Sequence, residues 1–119
     1  MRYAKIVNLS HAAVLAKRVV IADTPALRRR GLLGCDELPQ GSGLIIIPCR
    51  QVHTFGMKYP IDVVFLDASW QVRRCAKGLK PWRLSPLVIS SRSVLELPAG
   101  KISETGTEVG DALAIVPLG

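Results

Sequence analysis

The stretch His53-Thr54-Phe55-Gly56-Met57-Lys58-Tyr59-Pro60-Ile61-Asp62-Val63-Val64-Phe65-Leu66-Asp67 holds the residues best suited to chemistry. A polar turn broken by Gly56 runs directly into an apolar strand, and Asp62 sits inside that strand. A carboxylate in such a run is costly to bury unless a cation or hydrogen-bond donors meet it. The expected partners are cations: Lys58 in the preceding turn, or Arg28 and Arg30 upstream, because a guanidinium fork satisfies both carboxylate oxygens. Asp62 is therefore either the polar anchor of the fold or one wall of a polar cleft.

Glu96, in Val94-Leu95-Glu96-Leu97, has the same character. Alternation puts it on the face opposite Leu95 and Leu97. It is exposed if only one face of that strand is covered, and a second inward carboxylate if both are. Two carboxylates brought together can divide general acid and base work, as in glycoside hydrolysis, so a hydrolase using Asp62 and Glu96 is the alternative to a binding cleft.

Other groups carry less. His53 suits a turn hydrogen bond, or a role as base or ligand near neutral pH. Cys49 and His53 lie four apart, but a strand would separate them by about 13 Å and a metal needs further ligands, so no metal and no cofactor is expected. His11 falls in a loop. Cys75, near Arg74 and Lys77, and Cys35, after the arginine run, have the basic neighbours a thiolate needs, although free cysteines are commonly inert small apolar residues. No glycine-rich phosphate loop fits. Trp82, between Pro81 and Arg83, is the best surface-contact residue, suited to stacking. The candidate ligand-binding set is thus Arg28, His53, Thr54, Met57, Lys58, Asp62, Trp82 and Glu96, with no catalytic residue assigned.

Positioning these side chains falls to short elements. Ala4 to Leu9 and Ala16 to Ala22 read as strands. Thr24 and Pro25 start a helix that should reach Leu33 and stop at Gly34. Arg28, Arg29 and Arg30 point about 100° apart on it, so they cannot all face water if it packs on a sheet. Gly43 to Ile47 is a strand buried on both sides, Val52 to Phe55 a short one, and Ile61 to Leu66 another. Asp67 to Ser69 turns the chain into a strand over Trp70 to Ala76. Lys77 to Ser91 reads as an irregular excursion. Val94 to Leu97 is a strand, Pro98 to Thr105 a short helix, and Ala112 to Val116 the last strand. The fold class is α+β, mainly β: a small barrel-like folded sheet of seven or eight short strands with one or two short helices.

The order of these motifs resembles a known family. Thr24, Arg28, Gly31 and Leu32 match a Thr-x3-Arg-x-x-Gly-Leu segment, and Leu38-Pro39 precedes Gly43 and an apolar strand. Phe55-Gly56-Met57-Lys58-Tyr59-Pro60-Ile61-Asp62 matches a Phe-x-Met-(Lys/Arg)-x-Pro-(Ile/Leu)-Asp block, and Val94 to Gly100 is followed by Gly110-Asp111. In this the chain is similar to the domain of unknown function 192 over residues 24–115. The resemblance implies a compact β-barrel-like fold and no particular activity. Two positions depart from the pattern: Leu33 stands where many members have methionine, and Cys35 where many have arginine.

Bulk properties limit the rest. With 119 residues, about half of them apolar, the chain is a single domain over 1–119 with a core built mainly from Val, Ile and Leu. Of the formal charge of +7, almost all lies between Ala68 and Leu95, where Arg73, Arg74, Lys77, Lys80, Arg83 and Arg92 occur without an acid. Such a surface speeds the encounter with anionic partners, whether nucleotides, acidic lipids or acidic proteins, without choosing among them. Nucleic-acid binding is the disfavoured alternative, because it wants several exposed aromatics among the cations. Three widely spaced cysteines and an N-terminus without a leader fit a cytoplasmic protein, and no apolar run is long enough for membrane insertion. The expectation is a non-enzymatic binding domain whose cleft takes a small polar or anionic ligand or a protein segment.

Overall fold

A computed structural model describes residues 1–119. Seven strands and two short helices follow in the order β1 (Tyr3–Asn8), β2 (Ala13–Ala22), α1 (Pro25–Arg30), β3 (Ser42–Ile46), β4 (Ile61–Leu66), β5 (Val72–Leu79), β6 (Ser93–Pro98), α2 (Lys101–Thr105) and β7 (Leu113–Leu118). They form one sheet in the order β5-β4-β6-β3-β2-β1-β7, in which only β2 and β3 run parallel. The end strands meet at one corner, where Gln71 bridges Ala112 and the Val72 amide donates to the Asp111 carbonyl at 2.8 Å. The sheet is folded over rather than closed, which is the barrel-like form expected.

Folding over gives the sheet two covered faces. The inner face packs Ile6, Leu15, Val19, Ile45, Val64, Leu66, Leu95 and Leu97 around Ile102 of α2. The outer face carries Leu44, Ile46, Ile61, Val63, Phe65 and Val94, and is covered by Leu32, Val52 and Met57 from the segments that follow α1 and β3. Every residue of β4 and β6 is buried as a result. This is why both strands read as unbroken apolar runs apart from one carboxylate each. Gly43 lets β6 come close: a Cβ there would lie 2.6 Å from the Glu96 carbonyl oxygen.

The helix start falls where Thr24 and Pro25 put it, with the Thr24 hydroxyl accepting from the Leu27 amide at 3.2 Å. Its end does not. The helix stops at Arg30, and Gly31, at φ 50°, donates its N–H to the Leu27 carbonyl. That early stop swings Leu32 down onto the outer face instead of along the helix. β5 also runs past Ala76 as far as Leu79, which pairs with Ile61, so the first residues of the expected irregular excursion are strand.

Candidate functional site

Asp62 is buried on the inner face without a cation. Its Oδ1 accepts from the Gly78 amide at 2.9 Å, and its Oδ2 from the amides of Gly100 (3.1 Å) and Ile102 (2.8 Å). Gly100 is the N-cap of α2 and has no side chain to offer. Asp62 therefore caps that helix from β4 while holding Gly78 where the β4–β5 register slips. None of the expected cationic partners meets it: Arg30 is exposed beside the cleft, and the other two are engaged elsewhere. Lys58 Nζ pairs with Asp36 at 2.9 Å on the surface, and Arg28 Nη1 donates to the carbonyls of Asp23 (3.1 Å) and Ile47 (3.2 Å). Both expectations, a guanidinium or ammonium partner and a place for Asp62 in the cleft, are corrected. Three backbone dipoles supply what a cation was expected to supply.

Glu96 points the other way. It lies opposite Val63 in the β4–β6 ladder, whereas Asp62 lies opposite Leu97. The two carboxylates therefore leave the sheet on opposite faces, and no paired-carboxylate hydrolase centre forms from them. Glu96 is 3% exposed and takes part in none of the ion pairs. Burial pushes its carboxyl up to about 7, with no donor or cation to offset the loss of hydration.

Above this carboxyl a cleft of about 240 Å³ opens between α1 and the segment after β3. Arg28, Arg29 and Arg30 line it from α1. Leu32, Ile46, Val52 and Met57 form its apolar wall, and Cys49, Gln51 and His53 its third side. Of the residues singled out in the sequence, Arg28, His53, Met57 and Glu96 converge here. Thr54 lies below the surface as a tie: its hydroxyl donates to the Lys80 carbonyl at 2.6 Å and accepts from the Arg83 amide at 2.9 Å. Lys58 faces solvent. Trp82 is 65% exposed and stands off the cleft, 6.3 Å from Phe55, which in turn stacks on His53 at 4.9 Å. His53 Nδ1 accepts from the Phe55 amide at 3.2 Å, a turn hydrogen bond.

The candidate ligand-binding set omits Leu32, Gln51 and Val52, which also line the cleft. The signal for Leu32 was present, since the Gly31 that stops the helix directs it. Gln51 and Val52 carry no distinguishing pattern. Cys49 borders the cleft as a thiol: burial pushes it up, and the Glu96 charge adds to this. Burial likewise raises Cys75 despite Lys77. Neither has the depressed value of a nucleophile. A separate polar knot joins β1 to the turn before β7. Asn8 donates to Asp111 Oδ2 at 2.9 Å, and His11 Nε2 lies 3.1 Å from the same oxygen. Burial works against the Asp111 charge, but the donors from Asn8 and Glu108, with His11, hold its carboxyl below the usual range.

What fold and site define is a small, folded-over β-domain with a basic-rimmed cleft floored by a lone buried acid. The chain belongs to the DUF192 family (Uncharacterized ACR), whose pattern matches residues 6–115. The match extends the resemblance seen in the sequence back into β1, as far as Ile6. A UPF0127 protein of Thermococcus sibiricus is 32% identical over 113 residues, covering 91% of this chain and 72% of that protein. A UPF0127 protein of Pyrococcus horikoshii is 32% identical over 113 residues, covering 91% and 96%. A crystal structure of a protein of unknown function from Novosphingobium aromaticivorans superposes with a TM-score of 0.80 at 22% identity, over 94% of this chain and 83% of that one. That likeness is one of fold. No helix here is long and apolar enough to cross a membrane.

Proposed function

We propose that the chain is a non-enzymatic binding domain for a small organic anion. The observation that carries this is Glu96, a buried carboxyl without a protein partner at the floor of a cleft edged by three arginines. Buried charges and polar groups ordinarily find partners inside the protein, and one left free beneath an opening is a natural place for a ligand's hydrogen-bonding group. Arginine forks at the mouth suit a carboxylate or phosphate. Leu32, Ile46, Val52 and Met57 suit a short apolar stem between the two ends. At about 240 Å³ the cleft is smaller than the usual drug-sized pocket, which favours a small metabolite-like anion carrying a donor such as a hydroxyl or ammonium at its far end.

Met57 makes the test direct, because it belongs to the cleft wall and the only other methionine is Met1. Protein labelled at the methionine methyls is titrated with a series of ω-hydroxy and ω-amino carboxylates and with inorganic phosphate. A saturable movement of the Met57 signal, with a Kd of about 1 mM or better, is expected for at least one probe. It should weaken at least about tenfold in Glu96→Ala and in Arg29→Ala. If no member moves Met57, or if both variants bind as the parent does, the reading fails.

A further inference from the structure

A second surface stands beside the cleft and is built differently. Residues 82–88 run antiparallel to residues 50–54. His53 bridges Leu84, and the amides of Ser85 and Val88 donate to the carbonyls of Val52 and Arg50 at 2.9 Å each. The result is a two-stranded ribbon outside the main sheet. It carries an unusual set of exposed side chains: Trp82 at 65%, Leu84 at 59%, Leu87 at 60% and Ile89 at 75% exposure, with Phe55 adjoining. Scattered apolar residues on a surface need no explanation, but a row of them along one short segment does. Around them stand exposed Arg50, Lys80, Arg83 and Arg92. Residues 48–57 and 68–95 contain no acid at all, and the nearby Asp36 is already met by Lys58.

We infer that this ribbon is a peripheral docking surface for an anionic lipid bilayer. A large indole, a phenyl ring and three aliphatic side chains ringed by cations form the combination that settles at the headgroup level, apolar parts among the acyl chain ends and cations on the phosphates. Charge complementarity restricts the partner to an anionic one, since every exposed charge along the ribbon is positive, and the apolar row among the cations selects a bilayer. A nucleic acid would leave Leu84, Leu87 and Ile89 without partners, and the Trp82 and Phe55 rings stack on each other instead of standing free as base platforms. Thr54 holds the ribbon's outer turn through the backbone of Lys80 and Arg83, so Trp82 projects from a fixed loop.

The test is co-sedimentation of the full chain with phosphatidylglycerol–phosphatidylcholine vesicles and with pure phosphatidylcholine vesicles at low salt, together with tryptophan emission. Binding to the anionic vesicles alone is expected, with a blue shift that vanishes in Trp82→Phe, because Trp70 is half-buried elsewhere. Leu84→Ser with Ile89→Ser should weaken binding at least about tenfold, and Lys80→Glu with Arg83→Glu should abolish it. These side chains are exposed, so unchanged thermal unfolding of each variant confirms an intact fold. The inference is overturned by an absence of binding to anionic vesicles, by equal binding to neutral ones, or by unshifted emission. It is equally overturned if the Leu84→Ser, Ile89→Ser variant binds as the parent does, or if polyglutamate or duplex DNA is bound more tightly than the vesicles.

Discussion

Asp62 and Glu96 sit on neighbouring strands and face opposite sides of the same sheet, because Asp62 is in register with Leu97 and Glu96 with Val63. One carboxylate closes the interior by capping α2, and the other floors the cleft. Their consequences for stability and binding should therefore separate.

Removing the Asp62 carboxylate orphans three amides. Asp62→Ala is expected to cost about 3–5 kcal/mol, read as a fall in the denaturant midpoint at unchanged slope. Asp62→Asn keeps one acceptor oxygen and should cost less. Neither change should alter ligand-induced shifts of Met57, so altered binding in a folded Asp62→Asn would place Asp62 in the cleft after all.

Glu96 gives stability a pH dependence of definite sign. Its carboxyl is raised from 4.5 to about 7, so the folded state holds a proton that the unfolded chain releases. The contribution is fully present below pH 4.5 and is lost as pH rises through about 7, a decline of about 3 kcal/mol in all. Glu96→Gln should flatten that decline, leaving stability near pH 4 unchanged and raising it at pH 8. Denaturant unfolding at the two pH values checks this.

Close approach of β3 and β6 depends on the missing side chain at position 43. In Gly43→Ala the new Cβ would meet the Glu96 carbonyl at 2.6 Å, and the strands must part. A loss of about 1–3 kcal/mol is expected, with faster amide exchange along β6. An unchanged exchange pattern would contradict the packing.

Thr54 ties the ribbon down. Thr54→Val removes a donor to Lys80 and an acceptor for the Arg83 amide, costing about 1–3 kcal/mol. The indole of Trp82 should become more mobile, read as lower fluorescence anisotropy, while Met57 shifts on ligand titration persist.

Much of this architecture was legible in the sequence, and the misses have physical reasons. Thr24 and Pro25 announce the helix start because capping is local chemistry. The helix end was misplaced because Leu32 and Leu33 continue an apolar pattern, whereas Gly31 had already turned the chain so that Leu32 could join the outer-face cluster. The burial of Asp62 was readable from its apolar flanks. Its partners were not, since every residue type but proline carries a backbone N–H and an amide leaves no mark in the sequence. Glu96 was ambiguous for another reason: its face of β6 is covered by Leu32, Val52 and Met57, which come from segments distant in sequence.

Glu96 is a desolvated, unpaired acid opening onto a cleft, and its side-chain carboxyl carbon reports on this directly by NMR between pH 4 and 9. A midpoint near 7 is expected, with the Met57 methyl signal following the same curve. A midpoint near 4.5, the ordinary value for a glutamate, would show a hydrated or partnered carboxylate and contradict it.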